Sequence, residues 1–155
     1  MEERMAAAGA PGPPFPFWVN IDNRGLQWRD DWPPSEPLPG VGRWWCRFRP
    51  TATFDDRWVD AGRTVVLLDT FGWPAASGPH AWRIQGEAGP THIAPNVDLH
   101  VTFQRFDPAE EWLLVEASSP AGADGLLTAR LAVWSAGGSL LGTGSQTMLV
   151  SPVSG

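Results

Sequence analysis

Thr53-Phe-Asp-Asp-Arg-Trp-Val-Asp-Ala-Gly-Arg-Thr-Val-Val-Leu-Leu-Asp-Thr-Phe71 decides the fold, because its residues support two opposite readings. Thr53-Phe-Asp-Asp56 has the form of a capping box, with Thr53 as N-cap and two aspartates at the positive end of a helix dipole. Apolar residues then recur at Phe54, Trp58, Ala61, Val65, Leu68 and Phe71, close to the stripe of a helix with one buried face. Against that, Thr64-Val65-Val66 is β-branched, and residues 63–71 alone would pass for a buried strand. Cap and spacing agree, so the stretch is assigned to a helix over about residues 54–71, ended by Gly72-Trp73-Pro74.

On either side of this helix the pattern changes to period two. Upstream, Trp44, Cys46 and Phe48 fall on one strand face and Arg43, Trp45, Arg47 and Arg49 on the other. A first strand is expected over residues 15–23, kept at an edge or at its own beginning by Pro16. Residues 1–14 read as a flexible Ala/Gly/Pro tail, and residues 30–40, with four prolines, as an extended connection. Residues 72–92 read as irregular. Downstream, strands are expected over residues 97–106, 112–118, 126–134 and 140–150, the last two joined by a tight turn at Ala136-Gly137-Gly138. One early helix followed by antiparallel strands is an α+β layout, a helix packed on one sheet. Residues 15–155 are expected to form that single domain.

Composition removes several classes of function. With 11 basic residues, all arginine, against 17 acidic ones, the net charge of −6 repels a phosphate polymer, so no nucleic-acid partner is expected. No apolar run approaches the roughly 20 residues of a membrane helix, and the N-terminal residues lack the layout of a secretory signal. A single cysteine excludes an internal disulfide and a multi-thiolate zinc site within one chain. A cytoplasmic protein without a membrane partner is therefore expected. There is no Gly-x-Ser-x-Gly, Gly40-Val-Gly42 lacks the third glycine of a dinucleotide loop, and His80, His92 and His100 lack metal-ligand spacing. Ten tryptophans spread along the chain point to core and interface filling.

Few residues are left to carry chemistry. Asp98 and His100 share a strand face, best read as an exposed polar stripe. Cys46, between Trp44 and Phe48 on the apolar face, is expected to be inert core packing. Arg43, Arg47 and Arg49 form a basic stripe able to hold phosphates, although a solvated face is the simpler reading. Asp69 closes Val65-Val66-Leu67-Leu68 on what reads as a core helix. An ionised carboxylate there is costly without partners, which marks it as a candidate base, unless it points to solvent from the helix's outer side. Gln146 interrupts an apolar row of Leu140, Gly142, Gly144, Met148 and Val150, either as a functional amide or as a satisfied core glutamine.

Four motifs in order change that balance: Leu67-Leu68-Asp69; Ala94-Pro95-Asn96-Val97-Asp98-Leu99 running into Val101-Thr102-Phe103; Glu111-Trp112-Leu113-Leu114; and Gly144-Ser145-Gln146-Thr147-Met148. Over residues 15–152 the chain resembles the C-terminal hot-dog unit of acyl-CoA thioesterase II-like proteins. The resemblance implies a hot-dog fold, an antiparallel sheet wrapped around one long helix. It also implies hydrolysis of acyl-CoA thioesters, CoA being part of the substrate, with no separate cofactor and no metal. In the family an acid on the helix, a hydroxyl or amide residue opening the next strand, and a glutamine on the last strand hold a water. The matching positions here are Asp69, Asn96 and Gln146, with Asn96 standing where relatives carry threonine. The implied mechanism is general-base hydrolysis, with Asp69 taking the proton and a backbone N–H stabilising the oxyanion. Relatives commonly fuse two hot-dog units, and one unit leaves a sheet edge and an apolar face to cover. A homodimer with tryptophans at the contact is expected, or a partner carrying a second unit. The alternative reading is a non-catalytic hot-dog module that binds acyl thioesters or serves as a subunit of a split double hot-dog enzyme.

Overall fold

Alternating apolar residues in the second half of the chain demand a sheet with one buried face, and the glycines of its last long strand decide how close a helix can lie upon it. The computed structural model of the chain describes residues 16–27, 35–83, 89–106, 109–120 and 122–153. The expected tail over residues 1–14 and residues 30–34 of the proline-rich connection lie outside them.

A 3-10 turn over Pro16–Asn20 leads into β1 (Ile21–Gly25) and β2 (Val41–Phe48). Helices α1 (Arg57–Thr70) and α2 (Gly72–Ser77) follow, with a second 3-10 turn over Gly78–His80. The remaining strands are β3 (His92–Ile93), β4 (Asn96–Phe103), β5 (Leu113–Ser118), β6 (Leu126–Ser135), β7 (Leu140–Leu149) and β8 (Ser151–Pro152). Six of them form one sheet in the order β1-β2-β5-β6-β7-β4, every pairing antiparallel, while β3 pairs with β8. The expected α+β architecture, helix on antiparallel sheet, is the one found. The turn at Gly137-Gly138 is also present, with Gly138 at φ 81° donating its N–H to Ser135 at 3.0 Å.

The helix starts and ends elsewhere than expected. Its N-cap is Asp56, not Thr53: Asp56 Oδ1 accepts from the N–H groups of Trp58 (2.8 Å) and Val59 (3.1 Å), the donors that an N-cap satisfies. Trp58 consequently lies in the first turn and is 62% exposed, so the apolar stripe does not begin there. Its place on the buried face is taken by two charged residues. Arg63 and Asp60 make a two-pronged ion pair, Nε to Oδ1 and Nη2 to Oδ2, both at 2.8 Å, with the side chains 3% and 8% exposed. The same pair ties down two loops, because Asp60 Oδ1 accepts from Phe54 N–H (2.9 Å) and Arg63 Nη1 donates to Glu110 O (2.8 Å). At the other end Gly72-Trp73-Pro74 interrupts the helix at Phe71 without ending helical structure, since α2 starts at Gly72. Pro74 falls in its first turn, where a proline's missing N–H removes no helical bond. The expected first strand is likewise displaced, residues 16–20 forming a 3-10 turn and the strand beginning at Ile21.

Helix α1 runs along β7. Thr64 lies over Gly142, Leu68 over Gly144 and Gly72 over Gln146, so four helix residues advance with two strand residues. The two spacings nearly match, about 6 Å for four helix residues and about 6.8 Å for two strand residues. A Cβ at Gly142 would approach Thr64 Cγ2 to 2.9 Å, and one at Gly144 would meet Leu68 Cβ at 3.3 Å. Leu67, Leu68 and Phe71 are thereby pressed into the sheet's inner face against Val115, Val133 and Met148, all 1% exposed or less.

Candidate active site

The helix break and the start of β4 meet at one end of β7. Gln146 is 2% exposed and stands in a cross-strand row between Leu99 of β4 and Ala129 of β6. Asn96 reaches the same inner face through an irregularity. Asp98 pairs with Thr147, so regular alternation would set Asn96 opposite Leu149 on the outer face; instead Asn96 pairs with Met148. Val97 is the extra residue of a β-bulge, and the bulge re-aims Asn96 toward the helix.

There the three expected site residues come together. Asn96 Nδ2 donates to Asp69 Oδ1 at 2.6 Å and to the Asp69 carbonyl oxygen at 3.1 Å. In the amide orientation that pairs every donor with an acceptor, Gln146 Nε2 donates to Asn96 Oδ1 (2.6 Å) and to the Asp69 carbonyl (3.1 Å). Gln146 Oε1 accepts from Gly72 N–H at 3.1 Å. The last carbonyls of a helix lack partners of their own, and Asp69, in the final turn of α1, has its carbonyl served by two side-chain amides. Asp69 and Asn96 are exposed on the single chain and Gln146 is buried beneath them. Of the two alternatives for Asp69, a costly buried carboxylate or a solvent-facing one, the structure shows the second: it lies at the surface, at the helix end, and is held by Asn96.

Donor arithmetic defines what this arrangement can do. Both N–H bonds of each amide are engaged inside the cluster, whereas Asp69 Oδ2 and one lone pair of Asn96 Oδ1 are not. The cluster therefore presents acceptors outward, a carboxylate beside an amide oxygen.

Other candidates resolve into structural roles. Arg43 pairs with Glu116 (2.7 Å), Arg47 with Glu111 (3.3 Å) and Arg49 with Asp22 (3.1 Å), so the basic stripe is neutralised by acids on neighbouring segments. Cys46 is 0% exposed, and burial pushes its thiol well above the ordinary range. His80 and His92 each stack on Trp82, at 4.0 and 4.3 Å between ring centroids. Among the described residues no group of three His, Cys, Asp or Glu side chains could hold a metal ion. Two parts of the site were not read from the sequence: the bulge at Val97, and Gly72, taken only as a helix stop. The available signal for Gly72 was its phase, four residues beyond Leu68 and eight beyond Thr64 on the face that meets β7.

The fold has several solved counterparts. Acyl-CoA thioesterase II TesB2 of Mycobacterium marinum is similar over 94% of this chain and 57% of its own, with a TM-score of 0.67 and 21% identity. A conserved protein of unknown function with a hot-dog fold from Alicyclobacillus acidocaldarius is similar over 94% and 53%, with a TM-score of 0.63 and 20% identity. A hypothetical thioesterase of Streptococcus pneumoniae, crystallised with coenzyme A, is similar over 86% and 89%, with a TM-score of 0.60 and 8% identity. At these identities the likeness establishes the hot-dog fold, and the chain spans little more than half the length of the first two. No curated protein matches the chain. The family model described as acyl-CoA thioesterase C-terminal domain matches residues 2–150. With an antiparallel sheet laid around α1 and that match along nearly its whole length, the chain belongs to the acyl-CoA thioesterase C-terminal domain family.

Proposed function

We propose that the chain hydrolyses acyl-CoA thioesters to the free acid and CoA, using water activated by Asp69. The observation that carries this reading is the bonded cluster itself, with Asn96 Nδ2 on Asp69 Oδ1 at 2.6 Å and Gln146 below. Because the amide donors are engaged internally, a water at the cluster donates one O–H to Asp69 and the other to Asn96 Oδ1. Both of its lone pairs then stay free, one of them facing outward toward a thioester carbonyl carbon. Asp69 takes the proton as the C–O bond forms; collapse of the tetrahedral intermediate breaks the C–S bond, and the proton passes to the departing thiolate. Gln146 acts through Asn96, its N–H fixing which way the Asn96 amide is turned.

Family membership supports an acyl-CoA substrate, and the coenzyme A bound to the pneumococcal relative supports that carrier. The exposed position of Asp69 and Asn96 leaves the site to be closed by a second hot-dog unit, which we assign to another copy of this chain. Strand β4 is an edge of the sheet and carries exposed Val97 (63%) and Phe103 (39%), and Trp58 lies next to Phe106 at 5.4 Å between ring centroids. No helix among the described residues is long and apolar enough to cross a membrane, and a reaction in the cytoplasm suits the single cysteine.

Turnover of short-, medium- and long-chain acyl-CoAs, followed as free thiol, tests the reading, with thermal-shift measurements on the same ligands alongside. Thiol release in proportion to protein supports hydrolysis. Stabilisation by acyl-CoA without thiol release would instead identify a binding module.

A further inference from the structure

We propose that Gly72 is a positioning residue of this site, whose backbone N–H and missing side chain together set the orientation of both amides; the inference rests on the hydrolytic reading above for its kinetic consequence alone. A glutamine amide turns about a torsion with two nearly equivalent settings, so packing by itself does not choose between its oxygen and its nitrogen. One donor chooses here. Gly72 N–H lies 3.1 Å from the Gln146 amide and requires oxygen there, which sends Nε2 toward Asn96 Oδ1 and the Asp69 carbonyl. The opposite setting would face donor with donor at Gly72 and acceptor with acceptor at Asp69, inside a site where Gln146 is 2% exposed and unpaired groups are costly. Once Gln146 is set, Asn96 must turn its oxygen to Gln146 and its nitrogen to Asp69 Oδ1. A single backbone donor thereby reaches the general base through two side chains.

The same residue must lack a side chain. A Cβ at Gly72 would fall 1.5 Å from the terminal amide of Gln146 and 3.1 Å from Ala129 Cβ. The overlap falls on the far end of the Gln146 side chain, which must leave its present setting to relieve it. The break of the helix at Phe71 gives Gly72 its place: it opens α2 in line with Thr64 and Leu68, directly over Gln146.

The test uses Gly72→Ala, alone and with Gln146→Ala, each checked for folding by circular dichroism and thermal melting. Two-dimensional NMR first follows the side-chain NH₂ signals of Asn96, a reporter that requires no catalysis. Gly72→Ala is expected to move those signals although the Gly72 N–H bonds to Gln146 and not to Asn96; a folded variant with the Asn96 signals unmoved overturns the proposal. Kinetically, kcat for acyl-CoA hydrolysis should fall about 10- to 100-fold with KM within about twofold, as misplacement by about 1 Å does. In the Gln146→Ala background, adding Gly72→Ala should leave kcat within about twofold, since the obstructed amide is gone. Multiplicative losses in the double variant overturn the proposal. If Gly72→Ala alone does not fold, the double variant should fold, and its failure to do so counts against Gln146 as the obstructed group. A wild-type chain without thioesterase activity would sink the functional reading and leave the NMR arm to decide this one.

Discussion

Asn96 joins two groups that could not pair well by themselves, a carboxylate at a helix end and a buried glutamine on β7. It donates to one and accepts from the other, both at 2.6 Å, and only a side chain with a donor and an acceptor can do so. Asn96→Ala is therefore expected to lower kcat about 10- to 100-fold by releasing the Asp69 carboxylate from its setting. Stability should change little, because Asn96 is exposed; steady-state kinetics and a denaturant titration on one preparation check both halves. Residue chemistry alone raised Asp69 and Gln146 as questions and favoured a solvent-facing acid and a satisfied core amide as the answers. Only the order of four motifs brought them together with Asn96. Gly72 escaped because the same letter serves as a helix stop and as a space for a neighbour, and the choice depends on which strand lies beneath.

Elements decide how these side chains are aimed. Period two in the second half of the chain was legible, and the expected strands from β4 to β7 are all present. The bulge at Val97 was not, since a bulge is a property of the pairing of two strands and leaves little mark on either one. The start of α1 was misplaced for a similar reason. Thr53 and Asp56 are both good caps, and Asp56 prevails through two backbone bonds, while Asp60 is drawn inward by Arg63. Asp60 and Arg63 occupy positions that an apolar stripe would have filled, so periodicity could not find them. Removing one partner of a buried ion pair leaves the other charge uncompensated. Asp60→Ala is expected to destabilise the fold by about 3–5 kcal/mol, read from urea unfolding, and to loosen the loops held through Phe54 and Glu110. A loss within about 0.5 kcal/mol would show that the pair does not secure the helix.

On the scale of the whole molecule the sheet ends at β1 and β4, and the Asp69–Asn96–Gln146 cluster stands beside the β4 edge, where Asn96 opens the strand. An exposed edge strand offers unpaired backbone groups to another chain. Size-exclusion chromatography with light scattering is expected to give twice the mass of one chain, and a well-behaved monomer at micromolar concentration would contradict the assignment of a second copy. Assembly and cluster serve one claim, that this molecule hydrolyses thioesters with Asp69 as its base. Thiol release by wild type and Asp69→Asn, both shown to be folded, tests that claim most directly. Loss of about 10²–10⁴-fold in kcat is predicted across the acyl-CoAs that wild type accepts. Equal rates for the two proteins would contradict it.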